Sequence, residues 1–185
     1  ERITDLPQHL RVKRGMARTF QITALFPGLT VLESVVLAIC ERKRSGGDFW
    51  RPVAGHAAEI EEARRIARDL HLEAELDVVT RSLPYGKQRL LEIAVALATR
   101  PRVLLLDEPA AGIPVGESAE VLGVLAALPR EVSILFIEHD MDLVFTFADR
   151  ITVLVDGSIL VEGTPREIAK DPRVREVYLG ERDRG

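Results

Sequence analysis

The sequence is poor in cysteine, in aromatic residues and in long apolar runs. Its single cysteine, Cys40, excludes a disulfide or a cysteine-based metal site within one chain. No apolar stretch is long enough to predict a transmembrane helix. The formal net charge of −4 comes without a long block of one sign, which gives no support for binding nucleic acid through a basic surface. Hydrophobic residues make up 46%, enough for one globular domain with a real core.

The stretch from Val103 to Pro109 carries the clearest chemical information. Four apolar residues lead into Asp107 and Glu108, and such a run predicts a strand buried on both faces of a parallel sheet. Two carboxylates are costly in a core, so we expect them at the carboxyl end of the strand, where α/β sheets bind ligands. One acid suits a cation, and the next suits activation of a water molecule. The alternative is that the pair caps the following helix.

Strand and helix patterns alternate along the chain. Apolar runs predict parallel strands at 16–20, 103–106 and 132–137. An Asp-Gly turn predicts a C-terminal hairpin over 151–161. Helical patterns lie at 30–41, 58–71, 86–99, 114–128 and 141–148, and the first opens with a Thr-x-x-Glu capping box at Thr30. Together they predict an α/β fold with a mainly parallel sheet, a helical insert and a C-terminal β-hairpin.

Polar residues follow all three predicted parallel strands. Gln21 comes after the first, Asp107 and Glu108 after the second, and His139 shortly after the third. The carboxyl ends of parallel strands share one rim, so these side chains should converge there. An amide can complete the shell of a metal, and an imidazole can donate a hydrogen bond to a phosphate oxygen. The set therefore predicts Mg²⁺-assisted phosphoryl transfer to water, although a single histidine after a strand is usually structural.

A fourth stretch, Leu83 to Arg89, leads into the apolar helix. Gly86 lies near the predicted helix start, where a glycine lets the backbone approach an anion that the helix N-terminus favours. By itself, this stretch is equally consistent with an ordinary turn and cap.

Taken in this order, the residues resemble the ATP-binding-cassette (ABC) ATPase family. The matches are Gln21 with the Q-loop, 83–89 with the signature motif (usually Leu-Ser-Gly-Gly-Gln), 103–108 with the Walker B strand, 110–112 with the D-loop and His139 with the switch histidine. The stretches 17–21, 109–112, 138–141 and 177–180 most resemble the branched-chain amino acid transporter subgroup, and the urea and amide importers look similar. The resemblance divides the domain into a helical subdomain at 30–82, core parts at 1–29 and 83–163, and C-terminal helices at 164–185.

The resemblance also implies roles, cofactors and partners. Asp107 would hold Mg²⁺ through water, Glu108 would polarise the attacking water, and His139 would contact the γ-phosphate of ATP. Gln21 would link the metal to the membrane subunit. The signature residues implied to contact ATP are Pro84, Tyr85, Gly86, Lys87 and Gln88. The implied partners are a second ABC ATPase subunit, paired head to tail, and transmembrane permease subunits that hold the protein at the cytoplasmic face of the membrane.

The sequence departs from the family pattern in two places. It contains no Gly-x-x-x-x-Gly-Lys-Ser/Thr, the Walker A loop that cradles phosphates. Because that loop lies upstream of the Q-loop in the family, we expect the chain to be N-terminally truncated and, alone, to bind ATP weakly or not at all. In the signature, Pro84 lacks the usual serine hydroxyl, and Lys87 replaces glutamine and adds a compensating positive charge.

Two alternative functions remain open at the level of sequence. One is a degenerate cassette subunit that does not catalyse hydrolysis; the missing loop favours it, while Glu108 and His139 argue against it. The other is the ATPase head of a DNA-maintenance protein, which carries a similar signature helix and acid pair. Such heads need long coiled-coil arms, and the sequence has no heptad run.

Overall fold

The chain folds as two compact units, residues 1–137 and 138–185, and the structure, a computed structural model, describes residues 2–19, 25–43 and 56–179. The first unit contains α1 (Gln8–Lys13), β1 (Met16–Arg18), α2 (Val31–Lys43), α3 (Ala57–Asp69), α4 (Tyr85–Ala98), β2 (Val103–Asp107), α5 (Val115–Ala126) and β3 (Ser133–Ile137). The second contains α6 (Met141–Phe147), β4 (Ile151–Val155), β5 (Ser158–Gly163), α7 (Pro165–Ile168) and α8 (Pro172–Leu179).

The first unit is built on a three-stranded parallel sheet. Its order is β1-β2-β3, and Leu104 at the centre of the register lies between Ala17 and Ile134. The predicted α/β fold with a parallel sheet is therefore confirmed. Three residues of the predicted matches, Phe20, Gln21 and Gly180, lie outside the described residues.

The prediction that β2 is buried on both faces is wrong. Leu104 and Leu106 are buried in the core with the helices, but Val103 and Leu105 on the opposite face of β2 are only half-buried. On the neighbouring strand, Leu135 and Ile137 are 60% and 61% exposed. Side chains alternate across a strand, and the core cluster of the described residues meets the sheet only at alternate positions. An apolar strand alone does not reveal whether both of its faces are covered.

Helix α4 forms the centre of the first unit, as its apolar sequence predicts. Leu90, Leu91, Ile93 and Ala94 are fully buried, and α4 packs against both α2 and α3. This helix therefore anchors the helical insert to the segment that leads into β2.

The predicted capping box at the start of α2 is present. The Thr30 amide donates to Glu33 Oε2 at 2.8 Å, and the Glu33 amide donates to Thr30 Oγ1 at 3.2 Å. Each side chain satisfies a backbone donor that the first helical turn leaves unpaired, so the entry to the helical insert is fixed locally.

The second unit begins with α6 and continues into the predicted hairpin. Strands β4 and β5 pair antiparallel, and the turn residues Asp156 and Gly157 have φ values of 49° and 77°. Positive φ at both central residues is the geometry that an Asp-Gly hairpin turn favours. Across the described ranges of both units, no helix combines the length and apolarity needed to cross a membrane.

Candidate functional site

The acid pair lies at the carboxyl end of the sheet, as predicted. Asp107 is the last residue of β2, and the Glu108 amide donates to the carbonyl of Ile137 at 3.0 Å, which extends the ladder by one residue. Glu108 has a φ of 45°, the left-handed region that non-glycine residues rarely adopt. Strained backbone of this kind persists where the surroundings enforce it, often at functional sites.

The alternative role of the pair as a helix cap does not fit the structure. The next helix, α5, begins seven residues after Glu108, at Val115. Its N-cap is Pro114, which makes no side-chain capping hydrogen bond. Neither acid therefore occupies the N-cap of α5.

The Asp107 carboxylate forms an ion pair with an arginine side chain. Arg18, at the end of β1, places Nη2 at 3.2 Å from Asp107 Oδ2, and the Asp107 side chain is 27% exposed. Within the described part of the chain, no three histidine, cysteine or acidic side chains are grouped to hold a metal. Mg²⁺ typically takes one or two carboxylates and completes its shell with waters and substrate phosphates. A rim carboxylate that accepts positive charge fits this mode of binding.

The start of α4 is closed by a carboxylate that sequence patterns do not reveal. Glu117, on α5, accepts a hydrogen bond from the Gly86 amide at 3.0 Å. A Cβ atom at position 86 would lie 2.5 Å from Glu117 Oε2, so glycine permits this close approach. The amide predicted to meet a phosphate thus already binds an anionic group, and an incoming phosphate must displace Glu117 to reach it.

The other signature-like residues make internal contacts. Tyr85 lies beside Gly112, where an added Cβ would be 3.6 Å from the ring, so the 83–89 stretch adjoins the 110–112 turn. Lys87 Nζ donates to the His71 carbonyl at 2.7 Å and to a Glu120 carboxylate oxygen at 2.9 Å. Gln88 Nε2 donates to the carbonyl of Leu83 at 2.9 Å. Their contacts with ATP remain predictions.

The signature-like stretch and the acid pair meet through Arg89, a residue to which the sequence patterns assign no role. From α4, Arg89 Nη2 donates to the carbonyls of Asp107 at 2.8 Å and Glu108 at 3.2 Å. Its Nε donates to the carbonyl of Pro109 at 3.2 Å. The backbone that carries both acids is thus hydrogen-bonded to the helix that begins at Tyr85.

His139 lies in the second unit, in an exposed position one residue before the N-cap of α6. That cap is Asp140, whose Oδ1 accepts hydrogen bonds from the amides of Asp142 at 2.9 Å and Leu143 at 3.3 Å. The cap fixes the backbone next to the histidine. The roles of His139 and Gln21 toward the acid pair remain predictions.

A parallel α/β sheet with an acid pair at its rim is the P-loop NTPase fold of solved ATP-binding cassettes. The family model described as "ABC transporter" matches residues 2–111, and the model described as "Branched-chain amino acid ATP-binding cassette transporter" matches residues 158–184. The chain belongs to the ABC transporter ATP-binding family, in the branched-chain amino acid group of BraF and LivG. The family resemblance read from the motifs is confirmed.

Curated relatives and solved structures agree with this assignment. The chain is 37% identical to the high-affinity branched-chain amino acid transport ATP-binding protein BraF of Pseudomonas aeruginosa, over 98% of this chain and 74% of the relative. It is 39% identical to LivG of Salmonella typhimurium, over 97% and 73%. A solved ATP-binding cassette of an ABC transporter in its ADP conformation is 30% identical with a TM-score of 0.74, over 92% of this chain and 70% of that one.

Proposed function

We propose that this chain is the ATP-hydrolysing subunit of an importer of branched-chain amino acids. The observation that carries the proposal is the Asp107-Glu108 pair at the rim of the parallel sheet, with Glu108 in a left-handed conformation and neither acid at the N-cap of α5. When bound, Mg²⁺ neutralises phosphate charge that develops during transfer. Asp107 would hold the ion, Glu108 would orient and polarise the attacking water, and His139 would donate a hydrogen bond to the γ-phosphate. Gln21 would link the metal to the permease.

A second cassette completes the site in this proposal. The two subunits pair head to tail, so the start of α4 in one faces the nucleotide held by the other. A helix N-terminus with a glycine is suited to a phosphate because its amides point outward and its dipole is positive. Glu117 then leaves the Gly86 amide when the cassettes close.

Replacing Pro84 with serine should raise ATP hydrolysis by the transporter complex several-fold. Pro84 is the N-cap of α4 and makes no side-chain capping bond, whereas a serine oxygen at this position stabilises a helix by about 1 kcal/mol. The hydroxyl also restores a phosphate contact of the family pattern. Phosphate release at saturating MgATP measures the effect, and a rate equal to that of the unchanged protein would count against the role of position 84.

The helical subdomain at 30–82 is the surface that we assign to the permease. It is the part of the first unit that lies between the predicted Q-loop and the signature stretch, so it can carry contacts from the membrane subunit to both. Through that contact the protein sits at the cytoplasmic face of the membrane.

The choice of transported solute depends more on the family model that matches the C-terminal residues than on the overall sequence identity to relatives. A lipopolysaccharide export ATP-binding protein, LptB of Acidithiobacillus ferridurans, is 34% identical over 97% of this chain and 70% of the relative. Identity of this size therefore does not by itself separate the solutes of different ABC systems. The branched-chain model that matches residues 158–184 supports the amino acid importer.

Uptake by reconstituted vesicles tests this proposal. The subunit is assembled with its permease and its second cassette, and ATP-dependent uptake of radiolabelled leucine is measured in competition with isoleucine, valine or urea. We expect isoleucine and valine, but not urea, to reduce leucine uptake. ATP-dependent uptake of urea without uptake of leucine would assign the chain to the amide and urea systems instead.

A further inference from the structure

We infer that Arg89 is a positioning residue that sets the direction of the Glu108 carboxylate and joins it mechanically to the start of α4. This inference rests on the proposed ATPase function. The contacts of Arg89 with the carbonyls of Asp107, Glu108 and Pro109, here named the Arg89 clamp, involve three successive residues that include both acids.

The Arg89 clamp acts on a backbone conformation that needs support. Glu108 has a φ of 45°, and the turn closes when the Ala111 amide donates to the Glu108 carbonyl at 3.1 Å. Such a conformation costs of order 1–3 kcal/mol unless its surroundings hold it. The planar fork of a guanidinium reaches several carbonyls at once in a fixed geometry, which the three donors of a lysine ammonium cannot reproduce.

Arg89 is a buried cation, and burying its charge costs desolvation free energy. Arg89 is 5% exposed, and its Nη1 donates to Glu92 Oε2 at 2.6 Å one helical turn further along α4. Glu92 is 8% exposed, and its second oxygen, Oε1, is buried without a hydrogen-bond partner among the described residues. An apolar pair of similar size would avoid these penalties. The charged pair is explained if the guanidinium is needed for the clamp and Glu92 neutralises it.

Arg89 lies on the same helix as Gly86, so the clamp connects the acid pair to the start of α4. Gly86 and Arg89 are three residues apart, so they lie on the same side of the helix. The Gly86 amide is held by Glu117, and Arg89 holds the backbone of the acids. A shift of the helix start, when the facing cassette closes on it, is therefore transmitted directly to Glu108. Misplacing a catalytic group by about 1 Å can cost on the order of 100-fold in rate.

Arg89→Lys tests the clamp because lysine keeps the positive charge beside Glu92 but cannot reproduce the fixed fork that reaches the three carbonyls. In the transporter complex we expect kcat for MgATP hydrolysis to fall about tenfold or more, with less than about a twofold change in KM. Arg130→Lys, at an exposed position in the turn before β3, is the matched control and should leave both constants unchanged. A kcat within twofold of the unchanged protein would overturn the proposal.

A double-variant cycle separates positioning from a general loss of packing. If Arg89 acts through Glu108, Arg89→Lys should add less than about a twofold effect in a Glu108→Gln background. Multiplicative effects would mean that Arg89 acts independently of Glu108 and would overturn the proposal.

Hydrogen–deuterium exchange tests the clamp without reference to activity. Arg89→Lys should speed exchange in the 107–112 segment while helix α2 keeps its protection, and unchanged exchange at 107–112 would overturn the clamp. If the unchanged complex does not hydrolyse ATP, or Glu108→Gln leaves its rate unaltered, the proposed function fails. The exchange measurement still decides whether Arg89 holds this turn.

Discussion

Glu108→Gln should lower the rate of ATP hydrolysis by the transporter complex by about 10²- to 10⁴-fold, the range expected when a general base is removed. Glutamine has nearly the same shape but cannot accept the proton of the attacking water. Because this interaction is made in the transition state, the KM for MgATP should change little. Single-turnover phosphate release from complexes in vesicles measures the rate directly.

Glu131→Gln is the matched control for this experiment. Glu131 is exposed and precedes β3, so it lies at the amino end of the sheet, opposite the acid pair. The same change from acid to amide there should leave the rate within about twofold. A hydrolysis rate for Glu108→Gln within tenfold of the unchanged complex would contradict the assignment of Glu108. An inactive unchanged complex would favour a degenerate cassette.

Glu62→Gln should lower the free energy of unfolding at pH 7 by about 2–3 kcal/mol. Glu62, on α3, is 7% exposed and accepts two hydrogen bonds from Arg42 of α2, at 2.9 and 2.8 Å, and two from Arg100, at 3.1 and 2.8 Å. The Arg42 hydrogen bond is the largest cause that lowers the pKa of Glu62 from 4.5 to about 2, with Arg100 contributing and burial opposing. The Arg100 side chain is 68% exposed, so solvent screening reduces the energy below the full value of this shift.

The same cluster predicts how stability depends on pH. The folded-state pKa of Glu62 lies below the unfolded-state value, so its contribution is complete above about pH 5 and is lost as pH falls toward about 2. The difference in unfolding free energy between the unchanged protein and Glu62→Gln should therefore shrink across that interval. Urea unfolding monitored by circular dichroism at several pH values measures it.

Glu61→Gln is the control for the stability experiment because the neighbouring Glu61 is exposed on the same helix. Its effect should stay within about 0.5 kcal/mol at every pH. A Glu62→Gln protein as stable as this control at pH 7 would show that the buried cluster contributes nothing net to stability.

The features predicted correctly from the sequence are those that depend on residues close together in the chain. The capping box at Thr30 and the acid pair after β2 each depend on residues close together in the chain, so spacing and residue type suffice to find them. The apolar character of α4 likewise predicted its burial.

The contacts that shape the site join residues far apart in the sequence. Arg18 meets Asp107 across 89 positions, and Gly86 meets Glu117 across 31, so neither pair is visible in a local pattern. Arg89 belongs to a recognised motif, yet its bonds to three carbonyls depend on how α4 packs beside the turn after β2. The exposure of Leu135 likewise depends on tertiary packing rather than on strand sequence.

The most direct test of the composite site is an experimental structure of the Glu108→Gln transporter complex with bound MgATP. We predict that the γ-phosphate lies near residue 108, within about 3 Å directly or through one water. We also predict that the start of α4 from the facing cassette contacts the same phosphate, with Glu117 displaced from the Gly86 amide. A nucleotide remote from residue 108, or a facing α4 still closed by Glu117, would contradict this account.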